Sequence, residues 1–175
     1  AGPLAGPSAN RSNHVSPTTA DHVRADLGDQ VDLILDGGPC RVGIESTVID
    51  LSGTVPTILR PGGVAREQIE TIIGPVAMFS GSVDSARSAT SPGQQSTHYA
   101  PRTRAVRCTH CAKKAGRVIL RWPSSDPEEC ARIFYAELRQ LDQMNADEIA
   151  IELPPDEPRW AALRDRIIRA TAANG

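Results

Sequence analysis

The side chains best equipped for chemistry fall in three short stretches: Gly6-Pro7-Ser8-Ala9-Asn10-Arg11-Ser12, Gly43-Ile44-Glu45-Ser46-Thr47-Val48-Ile49-Asp50 and Leu59-Arg60-Pro61-Gly62. Each sets small or hydroxylated residues beside a short hydrophobic run, the pattern of a ligand-facing loop at a strand end. Ser8 can donate to a carboxylate or phosphate oxygen, Asn10 offers a donor and an acceptor, and Gly6 and Ala9 let the backbone come close. The same serine and asparagine can equally well satisfy their own turn. Ser46 and Thr47 lie in a strand pattern, so they point to opposite faces and one can line a cleft while the other packs; both are also ordinary strand hydroxyls. Arg60 precedes Pro61-Gly62, and its planar fork suits a phosphate, although an arginine there is also a common surface residue. Glu45 and Asp50 are the nearest carboxylates for a magnesium ion, but two acids beside a strand are a frequent accident. No Ser-His-Asp or Cys-His arrangement is visible, so no general base or nucleophile is assigned.

The remaining reactive residues give weaker signals. Cys40 and Cys130 read as buried or incidental thiols. Cys108-Thr109-His110-Cys111 has a spacing at which two thiolates can share a zinc ion, but a second ligand pair is lacking and two ordinary cysteines are preferred. No acidic residue falls between Asp84 and Asp126, whereas Arg87, Arg102, Arg104, Arg107, Lys113, Lys114, Arg117 and Arg121 all do. Such a block attracts phosphates or is simply a solvated basic surface.

These groups need elements to hold them. Ser16-Pro17-Thr18-Thr19-Ala20-Asp21 combines hydroxyl caps, an early proline and a first-turn acid, which predicts a helix reaching Leu27 and stopping at Gly28. Strands are predicted over Val31 to Leu35, Glu45 to Leu51 and Thr57 to Leu59, and a helix over Ala65 to Ile73 closed by Gly74. Residues 77–105 read as a linker, rich in serine and glycine with too little apolar surface to offset its ordering entropy. It ends on His98-Tyr99-Ala100-Pro101. Aromatics are only 3% of the chain, so Tyr99 either docks on something or covers the edge of its own domain. Residues 106–175 resume the alternation. They predict a strand from Gly116 to Leu120, a helix opening at Asp126-Pro127 with Ile133, Leu138 and Leu141 as its stripe, a strand from Glu148 to Leu153 and a helix from Arg159 to Ala172. Alternation of this kind favours a small parallel sheet carrying helices, and no glycine-rich phosphate loop follows either strand.

Composition bounds the rest. At 175 residues and 39% hydrophobic the chain can pack one domain or two small ones. A net charge of −2 argues against an evenly basic nucleic-acid binder. No apolar run approaches the ~18 residues of a membrane span and no signal sequence is visible, so a cytoplasmic protein is expected. The chain opens on Ala1 and directly on a loop motif, which reads as a missing start.

In their order and spacing the three stretches resemble the threonylcarbamoyl-AMP synthase family, whose first domain is of the YrdC type. The resemblance implies an α/β fold: the carboxyl-terminal part of a twisted open sheet over residues 1–76, a linker or lid over 77–105, and a small Rossmann-like α/β domain over 106–175. It also implies formation of threonylcarbamoyl-AMP and pyrophosphate from L-threonine, bicarbonate and ATP, with magnesium as the ATP counterion. The product serves tRNA threonylcarbamoyladenosine modification, with partner proteins downstream. By the same resemblance Ser8 and Ser46 match L-threonine contacts, Asn10, Thr18 and Arg60 match ATP contacts, and Tyr99 matches a linker tyrosine that folds over the nucleotide. Catalysis there rests on positioning and charge neutralisation, and the threonine amine or the phosphates activate bicarbonate.

The sequence also departs from the family. The lysine and arginine motif that grips ATP is absent from these residues, Asn13 stands where many members have glycine, and Gln94-Gln95-Ser96-Thr97 replaces a more aromatic, basic run. The 175 residues alone are therefore expected to be inactive and the first section to fold poorly. Two rival readings stay in view. One is a binding module for double-stranded RNA or a nucleotide, without catalysis, in which the basic segment contacts phosphate. The other is a carbamoyl transferase of the hydrogenase-maturation type, against which the His98 to Pro101 linker and second α/β unit argue.

Overall fold

The computed structural model describes residues 2–3, 6–79 and 98–172. Most of the predicted linker lies outside the described residues. The described chain forms two three-stranded sheets. The first runs in the order β1 (Val48–Asp50), β2 (Thr57–Arg60), β3 (Ala77–Met78), with β1 antiparallel and β3 parallel to β2. In the second, β6 (Glu148–Glu152) lies between β4 (Ala105–Cys108) and β5 (Arg117–Leu120), and both are parallel to it.

The helices follow their predicted punctuation closely. In α1 (Ala20–Leu27) the Thr19 hydroxyl accepts from the His22 amide, and Gly28 ends the helix at φ 50°, in the left-handed region where glycine carries no Cβ penalty. Gly74, at φ 82°, closes α2 (Arg66–Ile73) in the same way. Asp126 caps α3 (Pro127–Asp142) by accepting from the Glu128 amide at 3.0 Å, with Pro127 in the first turn, where no amide is needed. A turn of 3-10 helix over Pro158–Trp160 leads into α4 (Ala161–Ala170).

The core sits against β6. Ile149, Ala150 and Ile151 have no exposed surface, as expected for the central strand of a parallel sheet. Phe134 and Leu138 of α3, Leu163 and Ile167 of α4, and Trp160 pack around them.

Several expectations need correction. Val31 to Leu35 forms no strand. Leu33 and Leu35 are 74% and 84% exposed, and without a neighbour to complete the ladder β propensity alone does not make a strand. The strand predicted from Glu45 is regular only from Val48, so Glu45, Ser46 and Thr47 approach it in irregular backbone. Ala77 and Met78 belong to the first sheet rather than to a linker. At the other boundary, β4 is a strand that the sequence did not suggest, because its alternation is interrupted by Arg107. The buried stripe of α3 is Cys130, Ala131, Phe134, Tyr135 and Leu138, with Ile133 and Leu141 only half-buried beside it. Finally, Cys108 and Cys111 are joined as a disulfide, not held as two ordinary cysteines or as zinc ligands, their Cα atoms 5.5 Å apart at the end of β4.

Candidate functional site

The sheet strands bring Arg60 and Ser46 together. Arg60 closes β2 almost fully buried, and its Nε and Nη2 donate to the Ser46 carbonyl at 3.3 and 3.1 Å. Ser46 itself is exposed, while Thr47 packs inward, its hydroxyl donating to the Val64 carbonyl at 2.6 Å and accepting from the Val64 amide. Because both residues precede β1 in irregular backbone, strand alternation does not set their directions, and Ser46 is the more exposed of the two. Gly62 permits this approach, since a Cβ there would collide with the Ser46 and Glu45 backbone.

Ser8 is exposed on its loop. The Asn10 amide donates to the carbonyls of Arg11 and His14 and so caps its own turn, but its Oδ1 is buried without a partner. Asn13 has φ 67°, a conformation that glycine and asparagine adopt most readily, so the exchange of one for the other keeps the turn. Its carbonyl accepts from Ala100 at 3.0 Å, which ties the loop of Ser8 and Asn10 to the residue after Tyr99. Thr18 is buried, its hydroxyl 3.2 Å from His22 Nδ1.

Tyr99 is only 1% exposed and packs against the second unit. Its ring lies 5.5 Å from that of Tyr135 and 5.3 Å below the Arg166 guanidinium, and its hydroxyl is buried without a partner. Burial raises the Tyr99 pKa above its ordinary value and lowers that of His98, and both sense the charges of Arg166, Glu45 and Arg60.

Glu45 is the hub that sequence reasoning missed. Its carboxylate accepts from the Ser16 hydroxyl at 2.6 Å, the Tyr135 hydroxyl at 2.9 Å and Arg166 Nε at 2.7 Å. Burial opposes ionisation of Glu45, but the Arg166 guanidinium and then the Ser16 hydroxyl outweigh it and hold the carboxyl below its usual range. Nearby, Arg139 donates to the Ser16 and Val15 carbonyls and pairs with Asp26. The available signal for Arg166 was its position among Leu163, Ile167 and Ala170, which places an arginine on the apolar side of a helix.

This arrangement does not suit a metal at Glu45 and Asp50. Glu45 is already neutralised by Arg166, and Asp50 accepts from the Ser52 amide and hydroxyl. Among the described residues no cluster of three or more His, Cys, Asp or Glu could hold a metal ion. A cavity of about 580 Å³ opens between the units, lined by Val42, Ile58, Gly62, Ala131 and Leu163, and none of the six predicted contact residues borders it. Four arginines of the basic segment pair with three acids distant in sequence, while Lys113 and Lys114 are exposed. Arg104 and Arg117 pair with Glu148, Arg121 with Glu152, and Arg102 with Asp142, while Arg107 donates to Thr171. No helix among the described residues is long and apolar enough to cross a membrane.

Comparison with known proteins fits this geometry. Residues 1–62 match the family described as telomere recombination, and residues 64–172 match the threonylcarbamoyl-AMP synthase C-terminal domain. The chain is 33% identical to the threonylcarbamoyl-AMP synthase of Bacillus subtilis strain 168 over 96% of its own length and 57% of the relative's. It is 33% identical to that of Pyrococcus abyssi over 97% and 58%. The chain thus spans about half the length of the curated relatives it matches. Among solved structures, P. abyssi Sua5 complexed with L-threonine superimposes with a TM-score of 0.80 at 32% identity, covering 94% of this chain and 56% of that one. A variant of the same protein, with a histidine and the tyrosine after it both changed to alanine, superimposes at 0.81.

Proposed function

Because the chain belongs to the threonylcarbamoyl-AMP synthase family, we propose that it contributes to an L-threonylcarbamoyladenylate synthase, a nucleotidyltransferase that joins L-threonine, bicarbonate and ATP. The observation that carries this reading is the match over 94% of the chain to a Sua5 solved with L-threonine. In it, Ser8 and Ser46 hold the threonine, and Asn10, Thr18, Arg60 and Tyr99 hold the nucleotide. The exposed Ser46 hydroxyl and the orphaned Asn10 Oδ1 are groups with bonding capacity to spare.

The chemistry requires the threonine nitrogen to take up bicarbonate carbon with loss of water. An oxygen of the resulting carbamate then attacks the α-phosphorus, and pyrophosphate leaves. Arg60, a fixed cation at the end of β2, is suited to neutralise phosphate charge as it develops. Magnesium enters with ATP as its counterion, since the carboxylates here do not fit a resident ion. Such a reaction belongs in the cytoplasm, where ATP and tRNA are, upstream of the partners that transfer the product to tRNA. A double-stranded RNA module draws less support, because the relatives matched over nearly the whole chain are synthases.

The test is to incubate the 175-residue chain, and its reading frame extended to the length of the relatives, with ATP, magnesium, L-threonine and bicarbonate. Mass spectrometry should detect threonylcarbamoyl-AMP from the extended chain. No product from either would overturn the synthase reading, and salt-sensitive RNA binding indifferent to ATP would replace it.

A further inference from the structure

Resting on that reading, the geometry points to Arg166 of α4 as a positioning residue for the threonine and nucleotide contacts on the first sheet, acting through Glu45. One guanidinium from the second unit touches both segments that carry those contacts. Its Nε bonds Glu45 Oε2 at 2.7 Å, and its Cζ lies 5.3 Å over the Tyr99 ring. Glu45 passes the constraint on through its backbone. Its carbonyl accepts from the Gly63 amide at 3.2 Å, and the next carbonyl, that of Ser46, accepts from Arg60. The line from α4 to Arg60 therefore runs through two hydrogen-bonded contacts joined by the covalent backbone from Glu45 to Ser46.

The cost of the arrangement argues that it has a use beyond packing. The Arg166 side chain has no exposed surface, on a helix face otherwise occupied by Leu163, Ile167 and Ala170. An apolar residue of similar volume would fill that place without desolvating a cation. What an apolar residue could not supply is direction. Tyr135 from α3 and Ser16 from the first section converge on the same carboxylate, so Glu45 has three donors from three separate stretches of chain and one permitted orientation. Asp165 Oδ2, 2.6 Å from Arg166 Nη1, fixes the guanidinium from its other side. The second unit thereby becomes part of the substrate site without touching substrate.

The experiment uses the 175-residue chain with Arg166→Met, Arg166→Lys and Glu45→Gln. A core variant, Leu138→Ala, serves as a comparator at matched loss of thermal stability. Amide hydrogen exchange is followed at Gly63 and Arg60 against Ile151 of β6, and L-threonine affinity is measured by titration. Arg166→Met should speed exchange at Gly63 at least tenfold while Ile151 changes far less, and should weaken L-threonine binding at least fivefold. Arg166→Lys should recover part of both effects, and combining Glu45→Gln with Arg166→Met should be no worse than the stronger single change. Uniform acceleration of all three amides, or the same selective effect from Leu138→Ala, would overturn the proposal. The L-threonine titration uses the reading frame extended to the length of the relatives; if that chain, unaltered, binds no L-threonine, the synthase reading of these residues fails, while the exchange at Gly63 in the 175-residue chain still decides whether Arg166 positions them.

Discussion

In the second sheet, Ile149, Ala150 and Ile151 of β6 have no exposed surface, and two helices plus Trp160 cover them. In the first sheet Ile58 of β2 is the comparably buried strand residue, neither α1 nor α2 buries a single side chain, and Leu33, Leu35, Leu51 and Ile72 are more than half exposed. One unit carries a core of its own. The other meets its neighbour through Val15 and Ile44 on that core and through polar contacts of Glu45 to Tyr135 and Arg166 and of Asp26 to Arg139. Apolar burial drives cooperative folding, whereas polar contacts orient what is already folded. The residues matched to substrate sit mostly on the polar, less self-sufficient side.

The sharpest way to break this contrast is to separate the units. Residues 98–175 made alone should unfold in a cooperative thermal transition, and residues 1–75 made alone should not. A sigmoidal transition for the latter, followed by circular dichroism, would mean that its core is better formed than its exposure indicates.

The same contrast predicts unequal mutational costs within the whole chain. Leu138→Ala removes a side chain with no exposed surface from α3 and should cost about 3 to 5 kcal/mol in chemical denaturation. Ile72→Ala in α2, at a side chain 83% exposed, should change stability by less than ~0.5 kcal/mol. Equal effects would erase the distinction between the two regions. Arg166→Met falls between the units. It leaves the Glu45 carboxylate without its ion-pair partner, and a loss of roughly 3 kcal/mol is expected for a broken buried pair.

How far the sequence could be read follows the same line. Helix limits at Gly28, Gly74 and Asp126 were legible because caps are local chemistry, decided within four residues. The pairing of Arg60 with the Ser46 carbonyl was not legible, since it joins groups 14 residues apart that only the fold brings together. Val31 to Leu35 misled because a strand exists only with a neighbour, and β-branched residues do not state whether one is present. The role of Glu45 was not legible because carboxylate chemistry is visible in a sequence while its partner, Arg166, is 121 residues away. The ion pairs of the basic segment were hidden for the same reason: Asp142, Glu148 and Glu152 arrive from α3 and β6. Short-range chemistry is written locally, and long-range neutralisation is settled by the fold.

The smallest expected effect, and the one that best sharpens the comparison, is the dependence of stability on pH. His22 and His98, both in or beside the contact between units, have pKa values lowered from the ordinary 6.5, chiefly by burial and then by arginine charges, offset for His98 by Glu45. In that condition the unfolded chain binds more protons than the folded one below about pH 6.5, so stability falls on acidification through that point. Glu45 and Asp142 are depressed despite burial, by Arg166 and by the Thr103 and Arg102 amides respectively. Their contribution is complete above the ordinary carboxyl range and is lost as pH falls through their lowered values. Urea midpoints should therefore be level from pH 8 to 7, decline below about 6.5 and drop more steeply below about 4. Replacing His98 with Gln should flatten the first decline, and replacing Glu45 with Gln the second, because each removes the titration at the seam rather than in the core. A stability that rises between pH 7 and 5.5 would mean that these histidines gain, not lose, by taking a proton, and that the contact between the units is wetter and more anionic than the buried network of Glu45, Tyr135 and Arg166 allows.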